Sequence, residues 1–344
     1  SNLTDFPVYD LKPERTNSFE VGMNMRFLKN FELDVTYYNA KTMNQTFNPE
    51  LPVGEYARIY IQTGAVRNQG LELALNYNNT WKDFTWNTGV TYSMNKNKIL
   101  TLADNAINPI TGEKFSISSL NMGGLGSTRF ILKEGGSMGD IYSLMDLKRD
   151  ANGAVYIDEN NSVVTESLEA NNYIKLGSVL PKGNLAWRNN FSWKNINVAF
   201  LVSARLGGVV FSRTQAVLDN FGVSEASAAA RDKGYVSVNG NDRVNPEGWY
   251  SVVAGGTAVP QYYIYSATNI RLQEASIGYT IPRKWLGNVC DIKVSLIGRN
   301  LWMIYNKAPF DPESVASTDN FYQGIDYFMM PSLRNIGFNL SFKF

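Results

Sequence analysis

The last residues of the chain alternate strictly. Ile336, Phe338, Leu340, Phe342 and Phe344 are large and apolar, whereas Asn335, Gly337, Asn339, Ser341 and Lys343 are small or polar. Successive strand side chains point to opposite faces, so such a segment is a strand between two different solvents. The pattern recurs along the chain. Phe19, Val21, Met23, Met25 and Phe27 alternate with Glu20, Gly22, Asn24 and Arg26; Phe31, Leu33, Val35 and Tyr37 alternate with Glu32, Asp34 and Thr36. Leu71, Leu73, Leu75 and Tyr77 follow, as do Leu185, Trp187, Phe191 and Trp193, then Ile196, Val198, Phe200 and Val202.

About eleven strands are expected, near 14–28, 31–43, 57–77, 84–96, 124–132, 136–148, 181–193, 196–212, 262–281, 289–304 and 330–344. Short turns near 29–30, 78–83, 133–136, 194–195 and 282–288 alternate with long loops near 44–56, 97–123, 149–180, 213–261 and 305–329. Tight periplasmic turns and long extracellular loops are how outer-membrane barrels are built, and each membrane strand needs about 9–11 residues. No apolar run approaches the roughly 18 residues of a membrane helix. The fold class expected is therefore all-β: a transmembrane antiparallel β-barrel of the bacterial outer membrane. Tyr37, Tyr38, Tyr77, Trp81, Tyr262, Tyr263, Tyr265, Trp285, Trp302 and Tyr305 lie toward strand ends, as interfacial aromatic girdles require.

Single-chain bacterial barrels have an even number of strands, and open edges in lipid strand backbone groups without partners. An odd count leaves the two termini on opposite sides, with Ser1 to Pro13 outside. Residues 1–344 are therefore expected to form about half of a larger barrel, cut or separately numbered at an extracellular loop.

Composition excludes several other functions. There is no histidine and one cysteine, Cys290, which removes Ser-His-Asp and Cys-His catalysis, thiolate-rich metal sites and an intrachain disulfide. Thirty-two basic residues against 31 acidic ones leave a net charge of +1, which argues against a nucleic-acid partner. No enzyme activity and no cofactor are expected.

Several segments together resemble the C-terminal half of SusC-like TonB-dependent outer-membrane transporters. They are Leu11-Lys12-Pro13-Glu14-Arg15-Thr16, Gly64-Ala65-Val66-Arg67-Asn68-Gln69-Gly70-Leu71-Glu72 and Asn95-Lys96-Asn97-Lys98-Ile99. Next come Glu134-Gly135-Gly136-Ser137-Met138-Gly139 and Gly177-Ser178-Val179-Leu180-Pro181-Lys182. The last are Ala267-Thr268-Asn269-Ile270-Arg271-Leu272-Gln273-Glu274, Gly298-Arg299-Asn300-Leu301 and Asp311-Pro312-Glu313, ahead of a terminal strand ending in Phe. The resemblance implies a barrel of about 22 strands, to which this chain contributes about eleven. It also implies an N-terminal plug and further strands absent from this chain, a SusD-like surface lipoprotein, and TonB-energised import of oligosaccharides or peptides. The rival readings are a non-energised porin or adhesin barrel and a secreted β-rich glycan hydrolase.

Residues 213–233 read as helical within the longest loop. Asp219, Arg231, Trp249 and Tyr250 there are candidates for substrate contact. Glu20, Glu72, Arg205, Glu274 and Arg299 should face a wet lumen, because charge facing mid-bilayer costs about 2–4 kcal/mol for Lys or Arg. Arg271 shares parity with Ile277 and Tyr279, so a bulge or strand end is expected beside it. Phe338, Phe342 and Phe344 resemble the terminal strand read by barrel-assembly machinery. Asp150, Asn152 and Asp158 partly match a calcium loop, with an Asx-rich hairpin as the alternative.

Overall fold

Among the described residues, nine long strands run antiparallel and in chain order through one sheet. The computed structural model describes residues 4–5, 12–48, 56–58, 60–108, 111–319 and 322–344. Leu11 of the first quoted segment, most of Ser1 to Pro13 and residues 49–55 of the first long loop lie outside the described residues. The strands are β1 (Arg15–Phe27), β2 (Phe31–Phe47), β3 (Ile61–Trp81), β4 (Phe84–Thr101), β5 (Gly183–Trp193), β6 (Ile196–Leu206), β7 (Asn269–Ile281), β8 (Asp291–Asn306) and β9 (Asn335–Lys343). They are 9 to 21 residues long, enough for each to cross a bilayer at a tilt. Among the described residues the sheet is open: β1 pairs only with β2, and β9 only with β8. Among the described residues, no helix is long and apolar enough to cross a membrane.

The register converts sequence alternation into two continuous surfaces. One row across β1 to β8 reads Met25, Leu33, Leu75, Val90, Trp187, Val202, Leu272 and Trp302. A row on the opposite face reads Gly22, Thr36, Glu72, Ser93, Asn184, Arg205, Asn269 and Asn306. A one-residue slip anywhere would exchange these faces, so the register is fixed wherever one face meets hydrocarbon. On the apolar face an aromatic belt links neighbouring strands near the short turns. Its ring-centroid distances are 4.7 Å for Phe31–Tyr77, 5.5 Å for Tyr77–Trp86, 6.0 Å for Trp86–Phe191 and 6.2 Å for Phe191–Phe200. Asn189, buried within this belt, accepts a 3.0 Å hydrogen bond from Trp86 Nε1.

The short connections at residues 28–30, 82–83, 194–195 and 282–290 fall at one end of the sheet, and the long ones at the other. Two of the expected wall strands are not in the wall. Thr128–Lys133 and Asp140–Ser143 sit in a separate four-stranded sheet with Ser119–Asn121 and Ile174–Ser178, inside one long excursion between β4 and β5. The reason is legible in their burial. Phe130, Ile131, Leu132 and Ile141 are all nearly inaccessible, so both faces of these strands are covered. They are also 6 and 4 residues long, too short to span a bilayer.

The largest buried core lies in the loops; a smaller one joins Phe47, Val66 and Ile99 at the loop ends of β2, β3 and β4 to Leu102, Leu120 and Leu132. In the larger, Phe130, Ile141, Leu147, Val179, Phe211, Val253, Tyr263 and Ile325 pack together from three long connections. Tyr262 and Tyr263 belong to this core or pack against it, and Tyr265 lies on the neighbouring loop strand Ile264–Ser266, so these three are not girdle residues. Tyr38 also departs from the girdle: it lies on the polar face and donates to Asn95 Oδ1 at 2.9 Å. Tyr37, Trp81, Trp302 and Tyr305 are exposed on the apolar face, and Trp285 is exposed in the 282–290 turn.

Candidate functional site

Three short helices line a cleft of about 510 Å3 in the loop assembly. They are α1 (Arg213–Asn220), α2 (Glu225–Lys233) and α3 (Pro246–Val253). Each begins at a residue that satisfies free backbone amides. Ser212 accepts from Gln215 N, Ser224 accepts from Ser227 N, and Asn245 accepts from Glu247 N and Gly248 N, with Pro246 at the first helical position. The expected helical stretch therefore forms, but as two helices. The break falls at Gly222, whose φ of +67° suits glycine and whose carbonyl accepts from Arg231 Nη1 at 2.8 Å.

Asp219, Arg231 and Tyr250 all line this cleft. Asp219 is 5% exposed; it accepts from Tyr263 Oη and from Gln215 Nε2, each at 2.8 Å. Burial, then the Asp219 charge and its hydrogen bond, hold the Tyr263 phenol far above its usual range. Burial, Asp219 and Tyr250 push Tyr265 up to about 12. Burial and Asp219 also raise Tyr250. Trp249 turns away from the cleft lining and packs edge-on against Tyr262 at 5.1 Å, as part of the loop core. The sequence reading missed α3 as a helix and the cleft residues Asn220 and Asn245. The Asn245-Pro246-Glu247 start is the signal that could have found α3.

A second cluster joins the wall to the last long loop. Arg271 on β7 is 6% exposed and donates from Nη1 to Asp311 Oδ2 at 3.0 Å and from Nη2 to Asp311 Oδ1 at 2.8 Å. Its Nη2 also lies 2.8 Å from Glu313 Oε2, and Nε donates to Asn269 Oδ1 at 3.1 Å. Asn300 carries Oδ1 at 3.5 Å from Nη1. Three of the sequence segments quoted above thus meet at one arginine. The parity conflict at Arg271 is resolved by a bulge at Gln273: Val202 pairs with Leu272 and Leu201 with Glu274, so one residue of β7 is unmatched. Arg271 thereby turns to the polar side, while Ile277 and Tyr279 keep the apolar one.

Glu20, Glu72, Arg205, Glu274 and Arg299 all fall on the polar face by register. Arg299 and Glu274 form a cross-strand ion pair at 3.4 Å. Arg205 donates from Nη2 to Val179 O at 2.6 Å. Phe338 and Phe342 lie exposed on the apolar face of β9, and Phe344 follows the strand, also exposed. Asp150 and Asp158 do not meet. Asp150 Oδ1 accepts from Asn152 N and Ala154 N, and Asp158 Oδ1 accepts from Asn160 N and Ser162 N, so each closes its own Asx-type turn. Among the described residues, no group of three or more His, Cys, Asp or Glu could hold a metal ion.

An open two-faced sheet with a packed loop assembly at one end is the wall of an outer-membrane β-barrel. The sequence matches the family described as "TonB dependent receptor-like, beta-barrel" over residues 2–301, and the chain belongs to that family, one of receptors and not of enzymes. TonB-dependent receptor P3 of Formosa agariphila is 26% identical over 99% of this chain, and TonB-dependent receptor P26 of the same organism is 27% identical over 96% of it. The chain spans 35% and 34% of the lengths of these two relatives. Among solved structures, the RagAB peptide transporter matches 85% of this chain and 32% of its own with a TM-score of 0.64 at 17% identity. The RagAB peptide importer in its "open-open" state matches 96% and 35% with a TM-score of 0.63 at 17% identity. These likenesses establish the fold.

Proposed function

We propose that this chain supplies wall and extracellular loops to a TonB-dependent importer of oligosaccharides or peptides. The observation that carries the reading is the in-register separation of a polar from an apolar face over β1 to β8, with the long loops gathered at one end only. The family membership and the fold likeness to RagAB, a peptide transporter, lend further support to import. The free edges of β1 and β9 need partners, because unpaired backbone groups in lipid cost several kcal/mol each by rough estimate. Further barrel strands from outside residues 1–344 would close those edges, and a plug from the same source would fill the lumen. A SusD-like lipoprotein would cover the loop assembly, and the cleft of Asp219, Arg231 and Tyr250 would contact substrate beneath it. Phe338, Phe342 and Phe344 would guide assembly of the barrel.

The test is uptake by cells carrying the full-length receptor, with fluorescent oligosaccharides and peptides, with and without TonB. Uptake that requires both the receptor and TonB is expected. Uptake that persists without TonB overturns the reading in favour of a passive pore.

A further inference from the structure

The outward, apolar face of the wall changes character near the long loops. Tyr37 on β2 is exposed there, in a row with Val21, Leu71 and Met94. Two residues further toward the loops, the same face reads Phe19, Asn39, Gln69 and Lys96. The next row reads Asn17, Lys41, Arg67 and Lys98, and Arg15 follows on β1, paired with Met43. Five cations therefore stand in these outermost rows, which hold no Asp or Glu.

Neighbouring residues fix the direction of these side chains. Val66 and Ile99, which alternate with Arg67 and Lys98, are 3% and 0% exposed and pack with Leu102, Leu120 and Leu132. Loop core thus fills the inner side at this height, and Lys41, Arg67 and Lys98 belong to the outer side. Asn39 Nδ2 donates to Gln69 Oε1 at 3.3 Å and to Tyr37 Oη at 3.4 Å, so a carboxamide layer separates Tyr37 from the cations. Lys41 lies ten residues along β2 from Phe31 in the aromatic belt near the short turns. At about 3.3 Å per residue and a tilt of about 40°, that is about 25 Å, the height of the apolar band of an outer-membrane barrel. The cations stand at the headgroup level of the outer leaflet.

Lys41 pairs in register with Arg67, and Arg67 with Lys98. Neighbouring strands lie about 4.8 Å apart, so three positive charges fall within about 10 Å, and like charges directly opposite one another repel. Among the described residues, no carboxylate forms an ion pair with any of the three. A phosphate group offsets this repulsion, because arginine holds it through two parallel hydrogen bonds and lysine as a point charge. The exposed apolar rows directly beneath, which a soluble anion has no use for, give acyl chains a surface to lie on.

We infer that Lys41, Arg67 and Lys98, flanked by Lys96 and Arg15, bind the phosphates of a lipid headgroup in the outer leaflet, with its acyl chains along the rows below. The inference requires only the outer-membrane placement of the wall and holds whatever the barrel imports.

Bisphosphorylated lipid A is the probe, titrated against the purified full-length receptor in non-ionic detergent and counted by native mass spectrometry. Saturable binding is expected, about tenfold or more weaker for fully dephosphorylated lipid A and undiminished by an excess of inorganic phosphate. At about fivefold per charge, the triple variant Lys41→Gln, Arg67→Gln, Lys98→Gln should bind about a hundredfold more weakly. If it fails to assemble, Lys98→Gln alone, at an exposed position, should weaken binding about fivefold. The control carries the same charge change in the short turns, Lys29→Gln, Lys82→Gln and Lys194→Gln, and should bind as wild type. Equal binding of the dephosphorylated lipid, wild-type binding by the triple variant, or equal weakening in the control overturns the inference. Displacement of the lipid by inorganic phosphate overturns it in favour of a site for the free anion.

Discussion

Arg271 and Asp311 meet fork to fork, Nη1 to Oδ2 at 3.0 Å and Nη2 to Oδ1 at 2.8 Å, although forty positions separate them in the chain. Both side chains are almost fully buried. Such a pair positions more than it stabilises, since desolvation offsets much of the attraction, but removing one partner leaves a buried charge alone. Arg271→Gln in the full-length receptor is expected to cost about 3–5 kcal/mol. Protease cleavage within residues 307–334 should appear before the wall unfolds. Arg271→Lys should recover only part of this, because an ammonium cannot reproduce the paired geometry. Equal protease resistance in wild type and Arg271→Gln would refute the anchoring role.

The same pair has a pH signature. Burial pushes the Asp311 carboxyl up, but hydrogen bonds from Arg271, the Glu313 amide and Ser332 outweigh it and hold it below its usual value. A carboxyl whose folded value is depressed stabilises fully above its unfolded value of about 3.9 and loses that contribution as pH falls through the folded value. Thermal unfolding midpoints should therefore be insensitive to this group from pH 7 to about 5 and fall below about 4. Asp311→Asn should flatten that acid limb.

Tyr263 predicts the opposite limb. Its phenol is held well above its usual value by burial and by Asp219, so the neutral form belongs to the fold. Its contribution is complete below the unfolded value of about 10 and is lost as pH rises beyond it. Absorbance titration of the folded receptor should show Tyr263 and Tyr265 ionising only as the loop assembly opens. Tyr263→Phe leaves Asp219 Oδ2 without its donor and should cost about 1–3 kcal/mol, measured by denaturant unfolding.

The two faces of the wall can be tested one residue apart. Leu75 lies on the apolar face and Asn76 on the polar one. Leu75→Arg should cost about 2–4 kcal/mol if it sits near the bilayer midplane, whereas Asn76→Arg should cost little. The readout is the folded, heat-modifiable fraction after refolding into vesicles. Equal losses from the two would show that the assignment of faces is wrong.

Most of the wall is legible because one physical constraint acts along it: the side chains of β1, β6, β9 and residues 71–77 of β3 meet either hydrocarbon or water, and the choice shows in their chemistry. The segment 124–148 misled because Phe130-Ile131-Leu132 is a run without alternation, which marks a strand covered on both faces and not a membrane strand. Asp219, Arg231 and Tyr250 stand out only as separate polar or aromatic residues of the longest loop, and folding places them around one cleft; Trp249, next to Tyr250 in sequence, packs inward instead. Arg271 was recognisable as a problem of parity. Its solution was not, because Asp311 and Glu313 reach it through a loop whose path no local pattern encodes.

The unmatched Gln273 makes the length of β7 as consequential as its chemistry. Removing that single residue would restore plain alternation, carry Arg271 round to hydrocarbon, and strip the last long loop of its anchor to Asp311 and Glu313 in the same step. Substitution at this point changes one side chain. A shift of reading by one position would disconnect the membrane wall from the surface it displays to the outside.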